Sequence, residues 1–400
     1  MSEIARVLAY TRTGEALSYG EHFERYGPLP DLQGEAIVAE VERSGLRGRG
    51  GAAFPTATKL QAVRAARRRP IVVANAAEGE PSSAKDKLLL SATPHLVVDG
   101  AVLAARAVGA RSAAICVADD AALRSVQDAL AERPGDPMDV NVFRVANTYV
   151  SGEESALVHQ LNGGPAKPTF VPPRPFQRGV RGRPTLVQNV ETLAHLAQIA
   201  RFGADWFREC GTDHDPGTTL VTVSGAVNAP GVYEVDCGTS LRDAVALAGG
   251  QSARLQAFLV GGCFGTWIRG AVDVPLCHSG LQAFGGSLGA GIVVALADGV
   301  CGVDQSAQIV RYLADESAGQ CGPCVYGLDA IARASEDLAT GRANEAALAW
   351  IDRWCTQIPG RGACHHPDGA VRFLRSALDV FRHDFEAHVD GRCDAARAMA

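Results

Sequence analysis

The 400-residue sequence predicts an α/β protein: a parallel sheet with helices, then a small β-hairpin unit, then a helical C-terminal region. Three observations carry this. Short apolar runs alternate with helix-period segments between residues 71 and 150, the pattern of a parallel sheet. The period shifts to hairpin spacing after Pro216-Gly217. From about residue 300 onward the text is helical throughout.

Taken in order, residues 1–44 read as mostly helical, with EAIVAEVERSGL as an amphipathic run. Ile71 to Ala74 is a buried-strand signal that runs into a polar turn. HLVVDGAVLAARAVG predicts a helix, SAAICVA a strand, DAALRSVQDALAE a helix and NVFRVANTYV a further strand. Residues 162–187, rich in Pro, Gly and Arg, read as an irregular loop before the helix in QNVETLAHLAQIA. TTLVTVSGAV, the turn NAPG and VYEVDC predict a β-hairpin. SLRDAVALAGG is a helix closed by glycines, and QAFLVGG another strand. Helices follow over 306–316, 327–338, 345–357 and 369–387. The expected divisions are 1–55 (helical segment and glycine-rich loop), 56–215 (α/β), 217–285 (hairpin unit) and 290–400 (helical).

Composition narrows the class. Hydrophobic residues make up 47% and charged residues 20%, ordinary values that exclude a fibrous or wholly disordered chain. A net charge of −6 gives no electrostatic footprint for nucleic acid. The N-terminus lacks the apolar core of a signal peptide, and the apolar run at 289–296 is too short to span a bilayer. Eleven cysteines, an odd number, fall below the density of a disulfide framework. The expectation is a reducing cytoplasm, where clustered cysteines suggest metal or redox chemistry.

Four stretches carry chemistry. GLRGRGGAAFPTATKL (45–60) places four glycines and two arginines in its first seven residues, a loop suited to close backbone approach. Its glycine N–H groups with Arg47, Arg49 and Lys59 suit an anion such as phosphate; the bland reading is a surface loop. NAAEGEPSSAKDK (75–87) lies at the C-terminal end of an expected strand, the ligand edge of parallel sheets. Asn75, Glu78 and Glu80 there suit hydroxyl or amide recognition, or form a solvated acidic turn. YVSGEESAL (149–157) sets Glu153 and Glu154 after a glycine, for ligand recognition, for a helix N-terminus, or for both. CGPC (321–324) with Cys364 has metal- or cluster-binding spacing; a thioredoxin-like pair is its rival, without the βαβ setting that pair needs. Cys116, Cys210, Cys237, Cys263, Cys277 and Cys355 read as core filling, Cys393 as incidental, and His365 and His366 as loop histidines.

In this order, the four stretches resemble the NADH-oxidising FMN flavoprotein subunit of respiratory complex I and its relatives in NAD-linked hydrogenases and formate dehydrogenases. Gly45 to Lys59 is similar to that family's G-L-R-G-R-G-G-A-G-F-P-T-G-x-K, with Ala53 and Ala57 replacing glycines. Asn75 to Lys87, Tyr149 to Leu157 and Gly182 to Leu193 follow its other motifs, with Gln188 for an asparagine. The resemblance covers nearly the whole chain. It implies a Rossmann-like FMN-binding domain, a ubiquitin-like β-grasp (SLBB) domain and a C-terminal helical bundle. It places FMN beside Gly48, Arg49, Gly50, Lys59, Asn75 and Glu78, with Gly152, Glu153, Val187, Gln188, Asn189 and Thr192 completing the pocket. NAD(H) or NADP(H) would approach near Gly51, Phe54, Lys59, Glu80 and Glu154, the two glutamates being the candidate catalytic pair. It implies hydride transfer from nicotinamide to flavin and onward one-electron transfer through one iron–sulfur cluster, [4Fe–4S] in the family.

Three departures stand out. The family's cluster motif E-S-C-G-x-C-x-P-C reads Glu316 to Cys324 here, with Ala318 at the first ligand. Cys321, Cys324 and Cys364 remain, and Cys301 is the candidate fourth. The family's P-P-F-P becomes Pro172-Pro173-Arg174-Pro175, exchanging an aromatic ring for arginine. Ala77 replaces an aspartate beside the expected flavin. The function expected is an FMN-dependent NAD(P)H oxidoreductase. The alternative is a flavin and iron–sulfur relay fed by ferredoxin without nucleotide oxidation. The partner expected is a ferredoxin-like or other electron-transfer subunit, with peripheral association to a membrane redox partner and no nucleic acid.

Overall fold

The computed structural model describes residues 6–8, 16–135, 138–393 and 395, in two compact units. The first takes in the chain to Thr222 together with Val232–Thr239 and Pro275–Ser279. The second takes in Val223–Gly231, Ser240–Val274 and the chain from Gly280.

The first unit is built on four strands, β1 (Ile71–Ala76), β2 (Ser112–Val117), β3 (Asp139–Arg144) and β4 (Thr185–Asn189). They lie in the order β3-β2-β1-β4, all parallel. β1 and β4 are buried at most positions, as a sheet covered on both faces demands. The expected strand over 141–150 ends early, because β3 pairs with β2 alone and that register stops at Val117 opposite Arg144. Residues 1–44 supply helices at Tyr19–Tyr26 and Gly34–Ser44.

Two helices bind the sheet to its core. Pro94–Val108 starts with proline at its N-terminus, ends on left-handed Gly109 and is buried along nearly its whole length. Val190–Arg208 follows β4 directly, capped by Asn189. The two helices touch at Gly100, where a Cβ would stand 2.1 Å from the Leu193 carbonyl oxygen. Glycine is required there by contact, not by backbone angle.

The hairpin strands are β5 (Thr218–Gly225), along which the chain leaves the first unit, and β6 (Gly231–Asp236). In the second unit β7 (Leu255–Val260) lies between β9 (Ile292–Ala297) and β8 (Thr266–Arg269), antiparallel to both. β8 and β9 are additions to the sequence reading. β9 is buried at most positions, so it lacks the alternation that marks a half-exposed strand. The helices are Gly302–Asp315, Asp329–Ala339, Ala347–Gln357, His366–Val380 and Arg382–Val389. The single helix expected over 369–387 is two, broken at Phe381, whose φ is −108° and ψ is 27°. Its ring is buried against Gly302 and meets the Trp267 ring edge-on at 5.1 Å. Among the described residues no single helix is long and apolar enough to cross a membrane.

Gly100→Ala drives a methyl into the neighbouring helix backbone and is expected to cost about 2–3 kcal/mol. Gly20→Ala, at an exposed helix position with nothing within 4 Å, should be neutral or stabilise by up to about 1 kcal/mol. Urea unfolding of both variants checks this; equal stabilities would contradict the packing.

Candidate functional site

The glycine loop, the Asn75–Lys87 and Tyr149–Leu157 stretches and the Gly182–Leu193 motif meet at the C-terminal edge of the parallel sheet, where strand ends and helix starts leave room for a ligand. Asn75 is the next-to-last residue of β1 and Asn189 ends β4, and the two are register partners. The Asn75 side-chain N–H donates to the Gly152 carbonyl at 2.8 Å, and its oxygen accepts from Ala77 N–H at 3.1 Å. Asn189 caps its helix through the Glu191 and Thr192 N–H groups and donates to Asp86 at 2.7 Å. Both asparagines therefore hold the rim together.

The glycine loop folds back on itself: Gly48 N–H donates to the Phe54 carbonyl and Thr56 N–H to the Leu46 carbonyl, each at 2.9 Å. A Cβ on Gly50 would meet the Asn189 Cβ at 3.0 Å, which seats the loop on the end of β4. Gly51 has φ +117° and Ala53 φ +49°, so Ala53 holds a left-handed conformation that glycine tolerates better. Arg49 N–H donates to the Thr192 hydroxyl at 2.8 Å. Its guanidinium turns away to the Pro216 and Thr218 carbonyls at 3.3 and 3.0 Å. Arg49 thus lends its backbone to the rim and its charge to the scaffold.

The acidic residues divide. Glu78 is buried and accepts from Ser83, from Asp86 N–H at 3.1 Å and from Lys87 N–H at 3.2 Å, capping the helix that follows. Glu153 caps the helix Glu154–Leu161 by accepting from Ser155 and Ala156 N–H. Glu80 is buried and accepts from the Tyr149 hydroxyl at 3.2 Å. Glu154 and Lys59 form an ion pair at 3.0 Å, both partly exposed, and Phe54 stands exposed in the loop beside them in sequence. Val187 and Gln188 lie in buried β4, with Gln188 donating to the Thr56 hydroxyl at 3.3 Å.

Sequence reading passed over one group. The Lys85 ammonium is buried between Asp86 at 2.7 Å and Glu191 at 2.8 Å. Burial alone would weaken Lys85 as a cation; Asp86, Glu191 and Glu78 instead raise it above the usual lysine range. Burial would raise the Glu191 carboxyl, but Lys85 overrides it and holds it at about 2. Burial keeps Asp86 up at about 6 despite Lys85. The signal was the Lys85-Asp86 pair inside the Asn75–Lys87 stretch and Glu191 inside the Gly182–Leu193 motif.

In the second unit, Cys321 and Cys324 open the π-helical turn Pro323–Leu328, with Cys324 N–H donating to the Cys321 carbonyl at 3.0 Å. Burial, joined by the Cys364, Cys321 and Asp368 charges, pushes the Cys324 thiol up to about 12. A bound cation, by favouring the thiolate, would reverse that shift. Cys301 is not brought to them, which corrects its expected place as fourth ligand. It caps the N-terminus of Gly302–Asp315. Cys364 lies two residues from His366, whose ring N–H donates to the Leu313 carbonyl at 2.6 Å. Leu313 is twelve residues along that helix from Cys301, roughly 18 Å at about 1.5 Å per residue.

Three family descriptions match the chain: the Nuo51 FMN-binding domain over residues 41–198, the SLBB domain over 220–258, and the NADH-ubiquinone oxidoreductase-F iron–sulfur binding region over 304–388. The F 2 subunit of the NADH-quinone oxidoreductase of Rhizobium meliloti is 35% identical, covering 95% of this chain and 96% of that protein. The chain belongs to the family of NADH-quinone oxidoreductase F subunits. The F subunit of the Mycobacterium bovis enzyme is 34% identical over 89% of this chain and 85% of its own length. Among solved structures, the NAD+-reducing [NiFe]-hydrogenase in its air-oxidised state matches with a TM-score of 0.83 and 34% identity. That match covers 89% of this chain but 63% of the hydrogenase chain.

For this member of the family, Lys85→Met strands two buried carboxylates and is expected to cost about 3–5 kcal/mol at pH 7. The deficit shrinks at pH 5, because the stranded carboxylates take up protons. In the wild type, Glu191 has a depressed pKa, so its contribution is present above pH 4.5 and is lost as pH falls toward about 2. Urea unfolding at several pH values checks both; a loss below 1 kcal/mol would contradict the pairing.

Proposed function

We propose that this chain oxidises NADH, holding FMN at the sheet edge of the first unit and one iron–sulfur cluster on the cysteines of the second. The observation that carries the reading is the convergence of the glycine loop, Asn75, Gly152 and Asn189 at one sheet edge, with the Lys59–Glu154 pair bordering it. Amide groups, a hydroxyl and backbone N–H groups suit a ribityl chain and phosphate, and Lys59 adds the cation. The flavin, when bound, accepts a hydride and passes electrons on singly. The protein's part is placement. Gly48, Gly50 and Gly51 let the backbone approach the cofactor, with Thr192 and Asn189 fixing the loop. Phe54 offers an exposed ring to the nucleotide, Glu154 holds the Lys59 ammonium in position, and Tyr149 holds the Glu80 carboxylate.

Cys321, Cys324 and Cys364 would hold the cluster as three thiolates, since the family's remaining cysteine is Ala318. The ferredoxin-fed relay gives way to NADH oxidation because the chain belongs to the NADH-quinone oxidoreductase F family. Related proteins are named as subunits of NADH-quinone oxidoreductase, and an NAD+-reducing hydrogenase shares the fold. The partner we propose is accordingly another electron-transfer subunit, in a cytoplasmic assembly peripheral to the membrane. Arg174 is exposed, and among the described residues no carboxylate pairs with it.

Anaerobic stopped-flow of the FMN- and iron-loaded protein tests the proposal. NADH should bleach the oxidised flavin band rapidly. Lys59→Met should lower kcat/KM for NADH at least tenfold, about 1.4 kcal/mol of transition-state stabilisation. A flavin bleached by dithionite but by neither NADH nor NADPH would overturn it.

A further inference from the structure

Cys301 has a second set of neighbours. Its Sγ lies 3.3 Å from His388 Nε2, and the ligand atoms of Cys301, His388 and Cys393 all lie within 4.8 Å of one another. These residues come from two distant parts of the second unit: the cap of the helix Gly302–Asp315, and the end of the helix Arg382–Val389 with the turn after it. Gly391, at φ +70°, turns the chain so that Cys393 returns to His388. The reading of Cys393 as incidental is thereby corrected.

The histidine is set for coordination. Its Nδ1 lies 3.0 Å from the Leu338 carbonyl, which accepts only, so Nδ1 carries the proton. The neutral ring then turns the Nε2 lone pair toward the two sulfurs, the arrangement by which carbonyl-held histidines ligate metals. His388 is 4% exposed, whereas both cysteines are partly exposed and give an ion its way in. Burial pushes the Cys301 thiol up to about 11, with the Asp304 N–H at 3.4 Å acting the other way, so a bound cation is what would draw the proton off. A tetrahedral ion with bonds of about 2.3 Å to sulfur and about 2.0 Å to nitrogen holds its donors roughly 3.5–3.8 Å apart. The triad is already close to that spacing.

We propose that Cys301, His388 and Cys393 form a zinc site separate from the iron–sulfur cysteines. Two sulfurs and one imidazole nitrogen are a zinc donor set, with the fourth position left to water. Binding releases two thiol protons, and two thiolates with one divalent ion leave a neutral centre, which suits a half-buried site. The ion ties the C-terminal turn to the first turn of the helix Gly302–Asp315.

The test uses the full-length, flavin- and iron-loaded protein, incubated with one equivalent of zinc and desalted. Elemental analysis should give about one zinc per chain. Zinc K-edge X-ray absorption should give two sulfurs at about 2.3 Å and a nitrogen at about 2.0–2.1 Å. Cys393→Ala and Cys301→Ser should each lower retained zinc at least tenfold, while Cys393→Ala keeps its iron. Protein that retains no zinc would overturn the proposal. So would zinc undiminished in Cys393→Ala, an all-sulfur shell, iron lost from Cys301→Ser with zinc kept, or a Cys301–Cys393 disulfide in the intact mass.

Discussion

The buried Lys85 ammonium is the constraint on which the first unit depends. Through Asp86 it reaches Asn189, and so the end of β4 and the seat of the glycine loop. Through Glu191 it reaches β5, because the same carboxylate accepts from the Thr219 hydroxyl at 3.1 Å and Leu220 N–H at 2.9 Å. One cation thus joins the loop after β1, the helix after β4 and the start of the hairpin. Removed from water, such charges are stable only with every partner in place. The residues around the site are therefore fixed by a buried charge network.

This explains why several residues matched by motif to ligand contact do structural work. Glu78, Glu153 and Asn189 each cap a helix at the same sheet edge. Capping places three helix N-termini around one space, and helix N-termini favour anions. Holding the rim and shaping an anion site are one arrangement. The second unit differs. There, burial and the neighbouring Cys364, Cys321 and Asp368 charges push the Cys324 thiol up, on a π-helical turn that presents Cys324 beside Cys321.

Much of this was legible in the sequence because the signals are local. The parallel strands showed in Ile71 to Ala74 and Ser112 to Ala118, and the glycine loop in seven residues. β9 was not legible, since a strand buried at most positions has no alternation to read. Phe381 was hidden too: its helix break comes from packing against Gly302 and Trp267, contacts distant in sequence. Cys301 shows the limit most plainly. Proximity in sequence to the cluster motif suggested a ligand, yet the intervening helix carries it to the other end, where His388 and Cys393 meet it.

The central claim is that electrons entering at the sheet edge leave through a cluster held by three cysteines. Electron paramagnetic resonance of the NADH-treated, iron-loaded protein tests it most directly. The account predicts a reduced-cluster signal in the wild type that is absent in Cys324→Ser, whose flavin still bleaches. A wild-type flavin that bleaches with NADH while no cluster signal ever forms would contradict it.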